Sequence, residues 1–482
     1  MNPLLEQEPR RVWAHFTKLC SIPHGSGNMG PASRMCMEFA AAHGLECRTD
    51  EAQNVIISKP ATPGYEKAEP VMLQGHLDMV CEQEPGRGFD FLTEGLELCV
   101  DGDWLSARGT TLGGDDGIAV AMMLAVLEAD DLPHPALECV FTTDEETGMG
   151  GARALDFSRL KSRRLINLDS EEEGVFTVCC AGGIRVQCQL PVLREPFNGA
   201  AFRVTIGGLL GGHSGGEIDK GRGSAHQLLG RLLGLLQEEA DFRLTALQGG
   251  ARDNVICPLA SAELVLAEAD VPTLERLAEA CRAMFREELA VTDPGVAVTL
   301  ERLDTPSALP LTKKSTDEIV WLLLVSPQGI EAMSADFPGL VRTSLNLGIL
   351  HLDADALHAG YLLRSALVSE KQMLVQRMQA LLSRLDCKVT LVGSYHPWEY
   401  RRDSALRETA VQAFRELFGK EPVVAGTHGG LECGLFCGKL PELDAISFGP
   451  ELHDIHSPRE RLSISSTERT WRLLCRTLRL CR

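Results

Sequence analysis

Residues 71–80 read VMLQGHLDMV: an apolar run, a glycine, then His76 and Asp78 two residues apart. Side chains along a strand repeat with a period of two, so this imidazole and this carboxylate share a face where the strand runs out. Taken alone, such a pair reads first as a histidine hydrogen-bonded to a neighbouring acid, with no chemistry attached. The surrounding chain gives it more meaning. VWAHFTKLC and ASRMCMEFAAAHG have helical spacing, and NVIISK and LECVFTTDEE read as strands. IAVAMMLAVLEA is a helix entered through GGDDG, and RRLINLDS is a strand again. This βαβ rhythm predicts a mostly parallel or mixed sheet with helices on both faces. The stretch FDFLTEGLELCVDGDWLSARGTTLGG interrupts it and is expected to form short hairpin strands on the sheet's edge.

From about residue 186 the pattern changes. AFRVTIGGL, a helix around SAHQLLGRLLGLLQ, FRLTAL, SAELVLAE, the helix TLERLAEACRAMFREE and VAVTLERL give the order β-α-β-β-α-β, a compact ferredoxin-like unit. After a bridge near residues 304–317, LVRTSLNLGILHL, YLLRSALV, EKQMLVQRMQALLSRL and CKVTLVG look like a partial second copy. Past YHPWEY the earlier βα grammar resumes. We therefore expect an α/β domain built from residues 1–185 and 399–482, interrupted by an inserted α+β domain, residues 186–398, that is ferredoxin-like and partly duplicated.

At 482 residues the chain exceeds what one core usually supports. Its net charge of −20, from 67 acidic against 47 basic residues, argues against nucleic acid or an anionic membrane as partner and leaves many carboxylates for cations. No apolar run approaches the ~18 residues of a membrane span. The opening MNPLLEQEPRRVWAHF lacks the unbroken apolar core of a secretory signal. Sixteen cysteines are scattered singly apart from Cys179–Cys180, and the close pair Cys433 and Cys437 has no second pair to accompany it. Unpaired thiols in a reducing cytoplasm are the expectation, not a structural zinc site.

Open α/β sheets bind ligands just beyond the carboxyl ends of their strands. Five polar stretches fall there: GHLD (His76, Asp78), GGDDG (Asp115, Asp116), TDEETG (Asp144, Glu145, Glu146), INLDSEEEG (Asp169) and PELHDIHSP (His453, His456). Each alone is weak, since an acidic run is ordinarily a solvated face. Together they are hard to explain by solvation, because so many carboxylates in one crevice repel each other unless cations are present. Two neutral imidazoles, three carboxylates and a hydroxide carry about −4, which balances the two divalent ions of a two-metal hydrolase. With no cysteine in the set, nitrogen and oxygen ligation suits zinc, manganese or cobalt.

The order GHLDMV, GDDG, TDEETG, NLDSEE and HSP resembles the aminoacylase and carnosinase-like dinuclear metallopeptidases. GLLGGHSGGEI at 208–218, TSLNLG at 343–348, GGLECGLF at 429–436 and ISFGPELHDIHSP at 446–458 narrow the resemblance to the aminoacyl-histidine (Xaa-His) dipeptidases. It covers essentially the whole chain. It implies an α/β fold: a mixed-sheet zinc-peptidase catalytic domain, with the inserted domain as its lid. His76, Asp115, Glu146, Asp169 and His456 would hold two divalent ions, Zn²⁺ first and Mn²⁺ or Co²⁺ as alternatives, with Asp115 bridging them. Asp78 would orient His76, and Glu145 would act as general base on the attacking water. His213 would reach the scissile carbonyl oxygen, and Asn254, Arg364 and Glu432 would contact substrate. The implied substrate is a short peptide with a free amino terminus, extending to Xaa-His dipeptides such as carnosine.

Several points depart from the family pattern or stay open. The acidic residue often seen after HSP is Arg459 here, and Pro258 arrives later than expected. His453 competes with His456, which the HSP match favours. The role of His428 is open. In single-unit lids the histidine comes from a partner subunit, whereas the near-duplicated insertion could let one chain supply its own, so a homodimer is open too. A deacylase acting on N-acyl amino acids through the same centre is the close alternative. A metal-binding protein without catalysis is a third, which a base beside the ligands argues against.

Overall fold

The computed structural model describes residues 3–482. The chain divides into two compact units. The first comprises the chain up to Cys179 with Tyr400–Gly426 and Leu431–Arg482, and the second comprises Cys180–Glu399 with Thr427–Gly430.

The first unit is built on an eight-stranded sheet in the order Glu46–Thr49, Val55–Lys59, Leu137–Thr142, Val71–His76, Arg164–Asn167, Asp444–Ser447, Val175–Cys180, Val423–Thr427. Its centre is parallel: Val71–His76 runs alongside Leu137–Thr142 and Arg164–Asn167, and the latter runs alongside Asp444–Ser447. Strand Val71–His76 is buried at every position, as a central strand covered on both faces must be. Register aligns the carboxyl ends, with His76 beside Thr142 and Gln74 beside Asn167, so the polar residues that follow all emerge at one rim. Helix Gly114–Glu128 carries the apolar run IAVAMMLAVL and is buried all round. It packs on helix Arg10–Cys20, whose Val12, Trp13, Phe16 and Leu19 form one buried face at helical spacing. Close approach depends on Gly117, where a Cβ would stand 3.1 Å from Leu19 Cδ2 and 3.3 Å from Phe16 Cε2. The interrupting stretch does not edge this sheet. Its hairpin, Leu98–Asp101 and Trp104–Ala107, joins Arg461–Ser463 and Leu452–His453 in a separate four-stranded sheet.

The second unit is built on a nine-stranded antiparallel sheet. Strands Ala200–Gly207, Phe242–Gly249, Ala260–Leu266 and Ala297–Leu303, with helices Ala225–Glu239 and Val271–Glu288, form the first ferredoxin-like copy, in the spatial order fourth, first, third, second. The second copy is complete, not partial. Its first strand is Gly182–Pro191, which precedes the whole first copy in the chain. Helix Lys313–Val325, strands Val341–Leu352 and Ala356–Ser365, helix Val368–Leu382 and strand Lys388–Tyr395 then repeat the same order. The copies join where Gln248 pairs with His351 and Gly249 with Leu350. One apolar core runs through both, including Leu229 and Phe285 from the first and Leu323, Tyr361 and Leu374 from the second. Among the described residues no helix is long and apolar enough to cross a membrane.

Candidate metal centre

His76 closes its strand with 1% exposure. Its Nδ1 lies 2.9 Å from the backbone oxygen of Asp78 and 3.6 Å from Asp78 Oδ1. A proton held on Nδ1 by these oxygens leaves the Nε2 lone pair free for a cation. Asp115 Oδ1 lies 3.2 Å from that Nε2, and Asp169 Oδ1 lies 3.8 Å from it. The other oxygen of Asp115 stands 3.1 Å from His456 Nε2, which is also 2.9 Å from Glu146 Oε1. Asp115 thus sits between two imidazoles with one oxygen turned to each. Donor atoms gather within 4.8 Å in three overlapping groups: His76, Asp116 and Asp169; His76, Glu145 and Glu146; Asp115, Glu146 and His456.

Local backbone geometry presents these groups. Asp115 and Asp116 have non-helical angles before helix Gly114–Glu128 becomes regular. His456 itself occupies the left-handed region at φ 57. Asp78, 1% exposed, ties the turn after Thr142 to His76: Glu145 N and Glu146 N donate to its two oxygens at 3.0 and 3.3 Å, and Ser26 Oγ donates at 2.8 Å.

Among the described residues, Asp115, Glu146 and Asp169 pair with no lysine or arginine, only with the two histidines. Burial drives the Asp169 and Asp116 carboxyls well above the usual carboxylate range, and neighbouring carboxylates add to it. Burial likewise pushes Glu145 up to about 8, helped by Glu432, Glu146 and Asp115. Hydrogen bonds to Asp115 and Glu146 raise His456 to about 10. A buried excess of carboxylates over positive charge, with imidazole and no thiolate, fits divalent cations.

Other candidate residues fall elsewhere. His453 Nε2 lies 2.8 Å from Glu451, and its ring meets Trp104 edge-on at 5.1 Å. Glu432 is fully buried, with Oε2 accepting from Gln74 Nε2 and Thr142 Oγ1, both at 2.6 Å, so it presents no surface to substrate. The acid expected after HSP stands one place beyond Arg459, at Glu460, which is 2% exposed and bonded to the backbone leading into Asp115. Sequence reading passed over Glu460 although it lies four residues past His456 and faces a glycine pair. In the second unit, His213 Nε2 lies 3.5 Å from Arg364 Nη2, while Gly216 N donates to His213 Nδ1 at 3.1 Å. Arg364 is 6% exposed, donates to Tyr395 OH at 3.0 Å and keeps a buried Nε without a hydrogen-bond partner among the described residues. Burial first, and the Arg364 charge second, lower the His213 pKa. His428, whose pKa burial pulls down to about 3, lies 2.7 Å from Ser344 Oγ through Nε2. Asn254 is half-buried beside the two-residue pairing of His213 with Val255, and its carbonyl accepts from Ser214 N at 2.9 Å.

Residues 72–480 match the peptidase family M20/M25/M40. The cytosol non-specific dipeptidase of Escherichia coli (strain K12) is 37% identical over 481 residues, 99% of each chain. The solved structure of aminoacylhistidine dipeptidase from Vibrio alginolyticus is 33% identical, with a TM-score of 0.91 over 98% of this chain and 97% of that one. Aminopeptidase PepT from Bacillus cereus, at 14% identity and a TM-score of 0.59 over 98% of this chain and 99% of that one, shares the fold.

Proposed function

This chain belongs to peptidase family M20/M25/M40, and we propose that it is a cytoplasmic zinc dipeptidase hydrolysing short peptides with a free amino terminus, Xaa-His dipeptides among them. The observation that carries this reading is Asp115 held between His76 and His456, within a buried carboxylate cluster that, among the described residues, no lysine or arginine neutralises. His76 and Asp169 would hold one ion, His456 and Glu146 the other, with Asp115 shared. Two divalent cations bound there would polarise the scissile carbonyl and make water acidic enough to attack near neutral pH.

The remaining steps belong to the protein's own groups. Glu145 takes the proton from the attacking water and passes it to the leaving amine. Its backbone is pinned by Asp78, and a carboxyl that burial moves toward neutrality makes a better-matched base than a solvated one. Asp78 keeps the His76 ring turned so that Nε2 faces the carboxylates. His213 is assigned the donor to the carbonyl oxygen. Its Nδ1 accepts from Gly216, and a ring donor aimed at a developing oxyanion favours the transition state. Arg364, with Asn254 near His213, is assigned to the substrate's carboxylate, since a buried guanidinium with spare donor capacity suits that partner.

The test is kcat/KM on zinc-reconstituted protein, for a dipeptide panel including Xaa-His members, their N-acetylated counterparts and longer peptides. Free dipeptides are expected to lead. A preference for the N-acetylated forms would replace this reading with a deacylase.

A further inference from the structure

The loop leading into Asp115 is wrapped around a carboxylate from far along the chain. Glu460 accepts four consecutive backbone N–H groups: Oε2 from Leu112 at 2.8 Å and Gly113 at 3.0 Å, Oε1 from Gly114 at 2.8 Å and Asp115 at 3.3 Å. Consecutive N–H groups converge on one carboxylate only where the backbone curls and no side chain intervenes. Gly113 has φ 65, and a Cβ there would stand 2.8 Å from Met79 Sδ. A Cβ on Gly114 would stand 2.7 Å from Leu452 Cδ2 and 3.2 Å from Glu460 Oε1 itself. The glycine pair of GGDDG is therefore what lets the loop close on this carboxylate.

Glu460 arrives on the turn that also carries His456, closed by its own N–H donating to Ser457 O at 3.0 Å. Residues 456–460 thus supply the imidazole 3.1 Å from Asp115 Oδ2 and fix the backbone of Asp115 as well. A carboxylate offers two acceptor sites on each oxygen, and here all four are used. An amide of the same shape keeps two of them and turns an NH₂ group against the other two donors.

We propose that Glu460 is a positioning residue for the metal centre. It holds Asp115 in register with both imidazoles, so that affinity for both ions depends on a side chain that ligates neither. The proposal rests on Asp115 being the shared ligand.

The experiment competes a chromophoric chelator for zinc against the parent, Glu460→Gln, Glu460→Asp and Asp115→Ala, each as the full chain, with thermal unfolding of the metal-free proteins alongside. Loss of an outer partner typically costs about 10–100-fold in metal affinity, and Glu460→Gln should release both ions with a loss of that order. Glu460→Asp, shorter but still a carboxylate, should fall between it and the parent, and it carries the test should the glutamine variant not fold. Zinc affinity within twofold of the parent in the Glu460 variants, with Asp115→Ala losing zinc, would overturn the proposal. So would a lowered metal-free melting temperature with zinc affinity unchanged, or loss of one ion alone. If Asp115→Ala keeps both ions, the proposal falls together with the assignment of Asp115 beneath it.

Discussion

Changing Glu432 to glutamine tests whether a proton is buried against the central sheet. Glu432 has no exposure. Its Oε2 accepts from Gln74 and Thr142, and its Oε1 has no hydrogen-bond partner among the described residues. Burial pushes the carboxyl from an ordinary 4.5 up to about 7, the Asp78 charge adding to the rise while His76 and the two hydrogen bonds oppose it. The folded chain therefore keeps a proton that the unfolded chain gives up above pH 4.5. The stability tied to that proton is full below pH 4.5 and is lost as pH rises through about 7. At about 1.4 kcal/mol per pH unit, the gap amounts to roughly 3 kcal/mol. Glutamine fills the same space, accepts both bonds through its carbonyl oxygen and has no proton to lose. Between pH 5 and pH 8.5 the metal-free parent should thus lose roughly 2–3 kcal/mol relative to Glu432→Gln, about 5–10 °C in melting temperature for a unit of this size. Calorimetry of both proteins across that range reads it directly. Zinc should shrink the difference, since cations beside His76 favour the ionised carboxylate. Parallel stability profiles for parent and variant would refute the buried proton.

Glu145→Gln should keep its metals and lose about 10²–10⁴ in kcat, the usual contribution of a positioned general base; near-normal turnover would move the base to Asp144 or Asp116. Elemental analysis of zinc-reconstituted parent should give about two ions per chain, and His76→Ala should lower metal content together with activity; a parent value near zero would sink the metal mechanism. His213→Ala should cut kcat by roughly 10²–10³ with zinc content intact, whereas full kcat or loss of zinc would remove it as the oxyanion donor.

Much of this protein is legible in local sequence because a parallel sheet announces its own binding rim. An apolar run such as VMLQ marks a strand covered on both faces, and the polar residues after it must leave that cover together. His76, the Asp115 turn, the Glu145–Glu146 turn and Asp169 can therefore be named from their stretches. The βα and β-α-β-β-α-β rhythms likewise expose an α/β unit with a ferredoxin-like insertion, since periodicity is a property of each element by itself. Pairing is not. The second ferredoxin-like copy looks partial in sequence because its first strand, Gly182–Pro191, is separated from the rest by the whole first copy, and only the sheet brings Ala359 beside Cys188. Burial of acids is equally hidden. Glu432 and Glu460 read as ordinary charged residues, yet each is desolvated by partners distant in sequence: Gln74 and Thr142 for one, the N–H groups of residues 112–115 for the other. A motif match favours His456 over His453, but which imidazole meets Asp115 and which turns to Glu451 is a matter of how one left-handed turn is folded. Sequence determines which groups can do the chemistry, because that depends on residue type and local period. Tertiary structure decides which oxygen faces which nitrogen and which acid is denied water, because those depend on contacts between segments hundreds of residues apart.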